Sequence, residues 1–153
     1  MLRLSKRADY ALIAMKHLAQ RQDAASASAR EIAAAYDIPI ELMAKVLQKL
    51  VRTGLLKSLQ GTRGGYVLGK PSKSITVGDI IQAIDGPFSV TACSAERNTC
   101  EQFGKCSIRD PLWRIKERIV AALGTVSLAE MAAESDHPVN TEPVPAALLR
   151  AHV

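Results

Sequence analysis

Apolar positions recur at helical spacing from the start of the chain. Leu4, Ala8, Ala11, Leu12, Met15, Leu18 and Ala19 fall on one face and predict a helix over residues 5–20, closed by the polar run 20–25. Ser28 stands three residues before Glu31, the spacing of a capping box, and Ile32, Ala33 and Tyr36 continue a short second helix over 29–36. Pro39 ends that helix, because proline disfavours the helical conformation in the residue before it, yet it suits the first turn of a new helix. A third helix follows, with Ile40, Met43, Leu47, Leu50 and Val51 expected inward and Glu41, Lys45, Gln48, Lys49 and Arg52 outward, up to a stop at Gly54. Two short helices joined by a tight turn, the second basic on its outer face, form a helix-turn-helix pattern, whose second helix enters the DNA major groove by its N-terminal end.

Beyond Gly54 the period changes from helix to strand. Residues 55–60 and 66–69 read as two strands around a turn, 61–65, that holds three glycines, giving a hairpin or wing. Arg63 at its tip, with Lys57 and Lys70 on its flanks, places cations where a phosphate or a narrow minor groove would lie if helix 3 sat in the major groove. Helix, turn, helix and basic hairpin in this order say far more than any one of them alone.

The second half opens with a linker over 71–75 and a helix capped between Thr76 and Asp79, carrying Val77, Ile80, Ile81 and Ile84 and ended by Gly86 and Pro87. A polar loop holds Cys93, Cys100 and Cys106. From Asp110 a long helix carries a stripe of Leu112, Ile115, Ile119, Ala122, Leu123 and Val126, and such a stripe must be buried. The winged part already has a core, so the expected partner is the same helix of a second chain, with packing inside its own chain the alternative. Ser127 and Glu130 form a further capping box for a closing helix, and the proline-containing tail is expected to be disordered. The predicted fold class is mainly α with a small β-hairpin: a winged helix-turn-helix plus a long C-terminal dimerisation helix. The expected divisions are a DNA-binding domain (1–73), a connecting helix and linker (74–92), a cysteine loop (93–106), a dimerisation helix with its closing helix (107–133) and the tail (134–153).

Charge sharpens this picture. The net +5 conceals an asymmetry: residues 1–73 hold thirteen Lys and Arg against five Asp and Glu, or +8, while residues 74–153 hold seven against ten, or −3. A basic half beside an acidic half suits a chain that meets phosphates with one end only. No apolar run approaches a membrane span, and the opening seven residues lack the apolar core of a secretory signal, so a cytosolic protein is expected. Enzyme chemistry is not expected: His17, His137 and His152 stand in no nucleophile arrangement with the cysteines, and no glycine-rich phosphate loop occurs.

Three cysteines within fourteen residues do not form a disulfide framework, and in a reducing compartment such a cluster binds metal or senses redox more often. Structural zinc sites pair cysteines two to four residues apart, which disfavours zinc here. Three thiolates suit an iron-sulfur cluster with one ligand supplied elsewhere. On spacing alone, reversible thiols and a purely structural role stand beside the cluster.

Over residues 1–133 the chain resembles the IscR/NsrR family of winged-helix iron-sulfur regulators. The match is carried by Leu2-Arg3-Leu4-Ser5 through Asp9-Tyr10-Ala11, by the wing from Gly61 to Tyr66, by the segment from Ile75 to Gly86, and by the three cysteines ahead of Leu112-Trp113. The opening residues and Ile84 to Phe88 are most similar to regulators of the SUF iron-sulfur assembly system. The resemblance implies a homodimeric transcription factor whose cluster, on Cys93, Cys100 and Cys106, modulates binding to a double-stranded DNA operator. Where IscR has a histidine after the third cysteine this chain has Arg109; in NsrR-like members an aspartate of helix 1 completes the set from across the dimer, and Asp9 holds that position. Three thiolates leave nuclearity open, with [2Fe-2S] slightly favoured over [4Fe-4S]. Gln60 replaces a wing arginine, with Arg63 available as a substitute. The expected DNA-reading set is Glu41, Leu42, Ala44, Lys45, Gln48, Lys49, Arg52, Gln60 and Arg63. The alternatives are a cluster-free thiol redox regulator of the same fold and a protein-interaction adaptor.

Overall fold

In a computed structural model, the structure describes residues 3–21, 25–62, 64–91 and 100–134. Cys93, Arg63 and all of the expected tail except Glu134 therefore lie outside the described residues. Six α-helices and a two-stranded hairpin are arranged in the order α1 (Lys6–Gln20), α2 (Ala29–Ala35), α3 (Ile40–Arg52), β1 (Leu56–Leu59), β2 (Gly65–Leu68), α4 (Val77–Asp85), α5 (Arg109–Thr125) and α6 (Leu128–Ala133). The mainly α fold with a winged hairpin is as predicted, with element ends shifted by a residue or so.

Each helix begins where local chemistry supplies a partner for its free amides. The Ser5 hydroxyl accepts from the Ala8 amide at 3.1 Å, and the Asp85 carboxylate in turn accepts from the Ser5 amide and hydroxyl, tying the start of α1 to the end of α4. Thr76 with Asp79 and Ser127 with Glu130 form complete capping boxes. The box expected at α2 is only half formed: Ser28 accepts from the Glu31 amide, but the Glu31 carboxylate is taken by the guanidinium of Arg21. A charge-assisted pair outcompetes a bond to a neutral amide.

The core is built on small residues. Ala8, Ala11 and Ala14 are fully buried in α1, letting α3 and α4 approach closely around Met15, Met43, Leu47, Leu50, Ile80 and Ile84. The inward face of α3 needs one correction. Ile40 is 43% exposed, whereas Val46, absent from the expected face, is 3% exposed. Val46 lies three residues after Met43 and four before Leu50, so it belongs to their stripe, while Ile40 sits in the first turn and away from the stripe's centre. Asp37 takes a positive φ of 53° in the turn before Pro39, and Ile38 is buried behind it. Asp tolerates this left-handed conformation better than most residues do.

The hairpin pairs Leu56 with Leu68 and Leu59 with Gly65 in antiparallel register. Ala27, just ahead of α2, joins it through a two-bond bridge to Tyr66. A Cβ at position 65 would stand 2.7 Å from the Ala27 carbonyl oxygen, so only glycine lets this segment dock against the wing.

The packing does not stop at residue 73. Ile75, expected in a linker, is fully buried, as is Leu128 of α6, and both join the cluster that holds α1 to α3. Backbone bonds Val77 to Val126 and Leu128 to Ile75 stitch the entry of α4 to the entry of α6. Helix α5 differs from the rest: none of its residues is buried. Leu123 and Gly124 sit 3.4–3.5 Å from where a Cβ of Gly78 would be, so its C-terminal end rests on α4, while Trp113, Ile115 and Val120 remain largely exposed. Among the described residues no helix is long and apolar enough to cross a membrane.

Candidate nucleic-acid interface and cysteine loop

Four residues of helix packing fix the orientation of α3. With Met43, Val46, Leu47 and Leu50 buried, Glu41, Leu42, Lys45, Gln48, Lys49 and Arg52 are left exposed along one outer surface, with Ala44 half-buried beside them. Glu41 is in the first turn, where a carboxylate complements the helix dipole, and Lys49 and Arg52 are in the last. Gln60 is exposed at the end of β1 in the wing, next to Gly61, whose φ of 104° makes the turn.

A cleft of about 230 Å³ runs along this surface where α1, α3 and α4 meet. Lys45, Gln48, Lys49 and Arg52 line it together with Arg7 of α1 and Ile84 of α4. The Lys49 ammonium donates to the Ile84 carbonyl at 2.6 Å, close to the end of α4 where free carbonyls concentrate negative charge. Neither Arg7 nor the Lys49 contact was accessible to periodicity, which describes one helix at a time and cannot say which neighbour closes over its face.

Between α1 and the end of α2, His17 stacks edge-on against Tyr36 and lies 3.1 Å from its hydroxyl. Partial burial, then the nearby Arg21 charge, lower the His17 pKa, with Glu31 acting weakly the other way. The bond from Arg21 in turn pulls the Glu31 carboxyl below its usual value.

Of the expected cluster ligands, Cys100 and Cys106 are described. Both are free thiols of intermediate exposure. They flank a compact turn: the Phe103 amide donates to the Cys100 carbonyl at 3.1 Å, and a single 3₁₀ turn over Phe103–Lys105 leads to Cys106. Arg109 latches this turn. Its guanidinium donates to the Phe103 carbonyl at 3.2 Å, lies 4.7 Å over the Phe103 ring and pairs with Asp110, lowering that carboxyl's pKa. Asp9 is exposed on α1. Among the described residues, which leave out Cys93, no group of three or more His, Cys, Asp or Glu converges to hold a metal.

Comparison with known proteins gives this arrangement a context. The profile of the Rrf2 family, described as an iron-dependent transcriptional regulator, matches residues 4–134. The HTH-type transcriptional regulator IscR of Escherichia coli is 30% identical over 131 residues, covering 85% of this chain and 80% of that protein. Among solved structures, CymR, the global cysteine regulator of B. subtilis, superposes with a TM-score of 0.73 at 29% identity, covering 89% of this chain and all of that one. T. potens IscR superposes with a TM-score of 0.67 at 26% identity, covering 89% and 94%. The chain belongs to the Rrf2 family and is a DNA-binding transcriptional regulator of the IscR/CymR type, not an enzyme.

Proposed function

We propose that the chain is a cytoplasmic homodimer that senses iron-sulfur status through Cys93, Cys100, Cys106 and Asp9 and controls iron-sulfur assembly genes. The observation that carries this reading is the pair of free, half-buried thiols on a latched turn immediately ahead of α5. The donor set fits. Thiolate is the usual ligand of iron-sulfur centres, and Arg109, which occupies the place of a ligating histidine in relatives, is already engaged in holding the turn. The exposed Asp9 leaves a carboxylate free to reach a partner chain. When bound, the cluster supplies a redox-sensitive and exchangeable centre, more labile for having one hard oxygen ligand among soft sulfurs.

The remaining steps belong to the chain's own residues. Two chains joined along α5 present paired α3 helices to half-sites about 34 Å apart on a roughly palindromic operator. Glu41 is placed to accept from cytosine N4 and Lys45 to donate to guanine, with Leu42 and Ala44 against base methyls. Gln48, Lys49 and Arg52, with Gln60 and Arg63 of the wing, are assigned to phosphates and groove walls. Cys93, Cys100 and Cys106, with the partner's Asp9, would hold the cluster, and DNA affinity would shift with whichever arrangement of the cysteine loop relative to α3 and α5 the held loop favours.

Anaerobic purification with visible absorption and iron and sulfide analysis, on wild type and Asp9→Ala, tests the ligand set. Charge-transfer colour in the wild type that is lost or shifted in the variant supports it; an unchanged spectrum removes Asp9. The second reading, a cluster-free thiol switch, is favoured by the likeness to the cysteine regulator of B. subtilis. A colourless, iron-free protein whose DNA binding responds to peroxide would establish it instead.

A further inference from the structure

We infer that the cleft between α1, α3 and α4 is a seat for one phosphate of the DNA backbone, and that Arg7 of α1 is part of the DNA-binding surface. The inference rests on the DNA-reading role of α3 and deepens it, because it adds an element that the helix-turn-helix pattern does not include. Three observations converge. Arg7, Lys49 and Arg52 line one cleft from two different helices, with Lys45 beside them and no carboxylate among the lining residues. Such a concentration of like charge costs free energy unless an anion answers it. No hydrogen bond or ion pair among the described residues engages Arg7, Lys45 or Arg52, so their donors remain for a ligand.

The third observation is the Lys49 bond to the Ile84 carbonyl. An ammonium carries three donors, and this contact uses one, anchoring the side chain to the α4 end of the cleft lining with two donors left. A cation fixed before the ligand arrives loses less conformational entropy on binding. The cleft volume of about 230 Å³ admits a phosphate group. A phosphate here is gripped from α1 as well as α3, which sets how far α3 enters the major groove. Backbone contacts of this kind fix register without reading sequence.

The test uses the full-length protein, an operator obtained by selection from random duplexes, and a scrambled duplex of equal length, titrated between 50 and 200 mM salt. For Arg7→Ala the expected result is a loss of roughly fivefold at physiological salt on both duplexes, with the slope of log affinity against log salt reduced by about 0.9. Arg7→Lys, which keeps the charge, should restore most of the affinity and the slope. Unchanged melting of Arg7→Ala, whose side chain is exposed, separates lost contact from lost fold.

An Arg7→Ala protein with wild-type affinity and slope, alongside an Arg52→Ala protein that binds weakly, would overturn the seat while leaving the DNA-reading role intact. Loss on the operator alone would also overturn it, because a backbone contact does not discriminate sequence. A wild-type protein that enriches no sequence and binds the scrambled duplex without salt dependence would remove the DNA-reading role and the seat together.

Discussion

The proposed reading of DNA by α3 assigns different work to single side chains, and the division is open to measurement. Lys45 is exposed at the middle of the helix and unengaged among the described residues, whereas Lys49 is already bonded to the Ile84 carbonyl. Lys45→Ala should relax preference at one base position at a cost of about 1–3 kcal/mol on the operator, with little change on scrambled DNA. Lys49→Ala should weaken both duplexes alike, flatten the salt dependence and also lower the unfolding free energy by about 1 kcal/mol, because the α4 carbonyl loses its partner. Equal losses on both duplexes for the two variants would refute the division. A second expectation concerns His17. Its pKa is depressed by burial and by Arg21, so the folded state favours the neutral ring. Stability from this site is present above the unfolded value near 6.5 and is lost as pH falls through the lower folded value. Thermal melts from pH 7.5 to 5 should therefore show a decline that is reduced in His17→Gln; identical pH profiles would contradict it. The outward set on α3 was legible in the sequence because charged residues recur at spacings of three and four. Val46 was not, because a valine among outward charges is assigned inward only once the direction of the partner helices is known.

At the level of elements, caps and turns carried most of the legible information. Thr76 and Ser127 each start a helix where their spacing to Asp79 and Glu130 says they should. Glu31 misled because a capping box assumes that its carboxylate has no better partner, and Arg21, ten residues away, provides one. The destination of α6 was also hidden. A six-residue helix following a long one reads as an appendage, yet Leu128 is fully buried in the same cluster as Met15 and Ile75, and Gln20 of α1 donates to the Ala132 carbonyl. The winged part is thus closed by a segment more than fifty residues beyond its own wing. Leu128→Ala should cost about 2–5 kcal/mol of unfolding free energy and melt the whole described body in one transition. A loss below 1 kcal/mol, or a separate early transition, would show that α6 is peripheral.

For the whole molecule, the proposed output surface on α3 and the helices α1 and α4 share ends, ahead of the proposed input loop. Asp85 at the end of α4 caps α1, the neighbouring Ile84 holds Lys49 of α3, and the chain then runs on toward the cysteine loop. A change in that loop therefore has a short covalent route to the surface of α3. Trp113, Ile115 and Val120 of α5 are each nearly half exposed, and a second copy is the proposed cover for this helix. Ile115→Glu should shift the protein from dimer to monomer in sedimentation at micromolar concentration and reduce operator binding without lowering helicity; a dimer of unchanged affinity would contradict that. The proposed regulation depends on coupling between the cysteine loop and α3. Its most direct test is the operator affinity of anaerobically purified protein compared with the same protein after iron removal. Cluster-bound and cluster-free forms should differ by at least about fivefold, within the usual span of allosteric coupling. Equal affinities, or a protein that carries no iron when purified without oxygen, would contradict it.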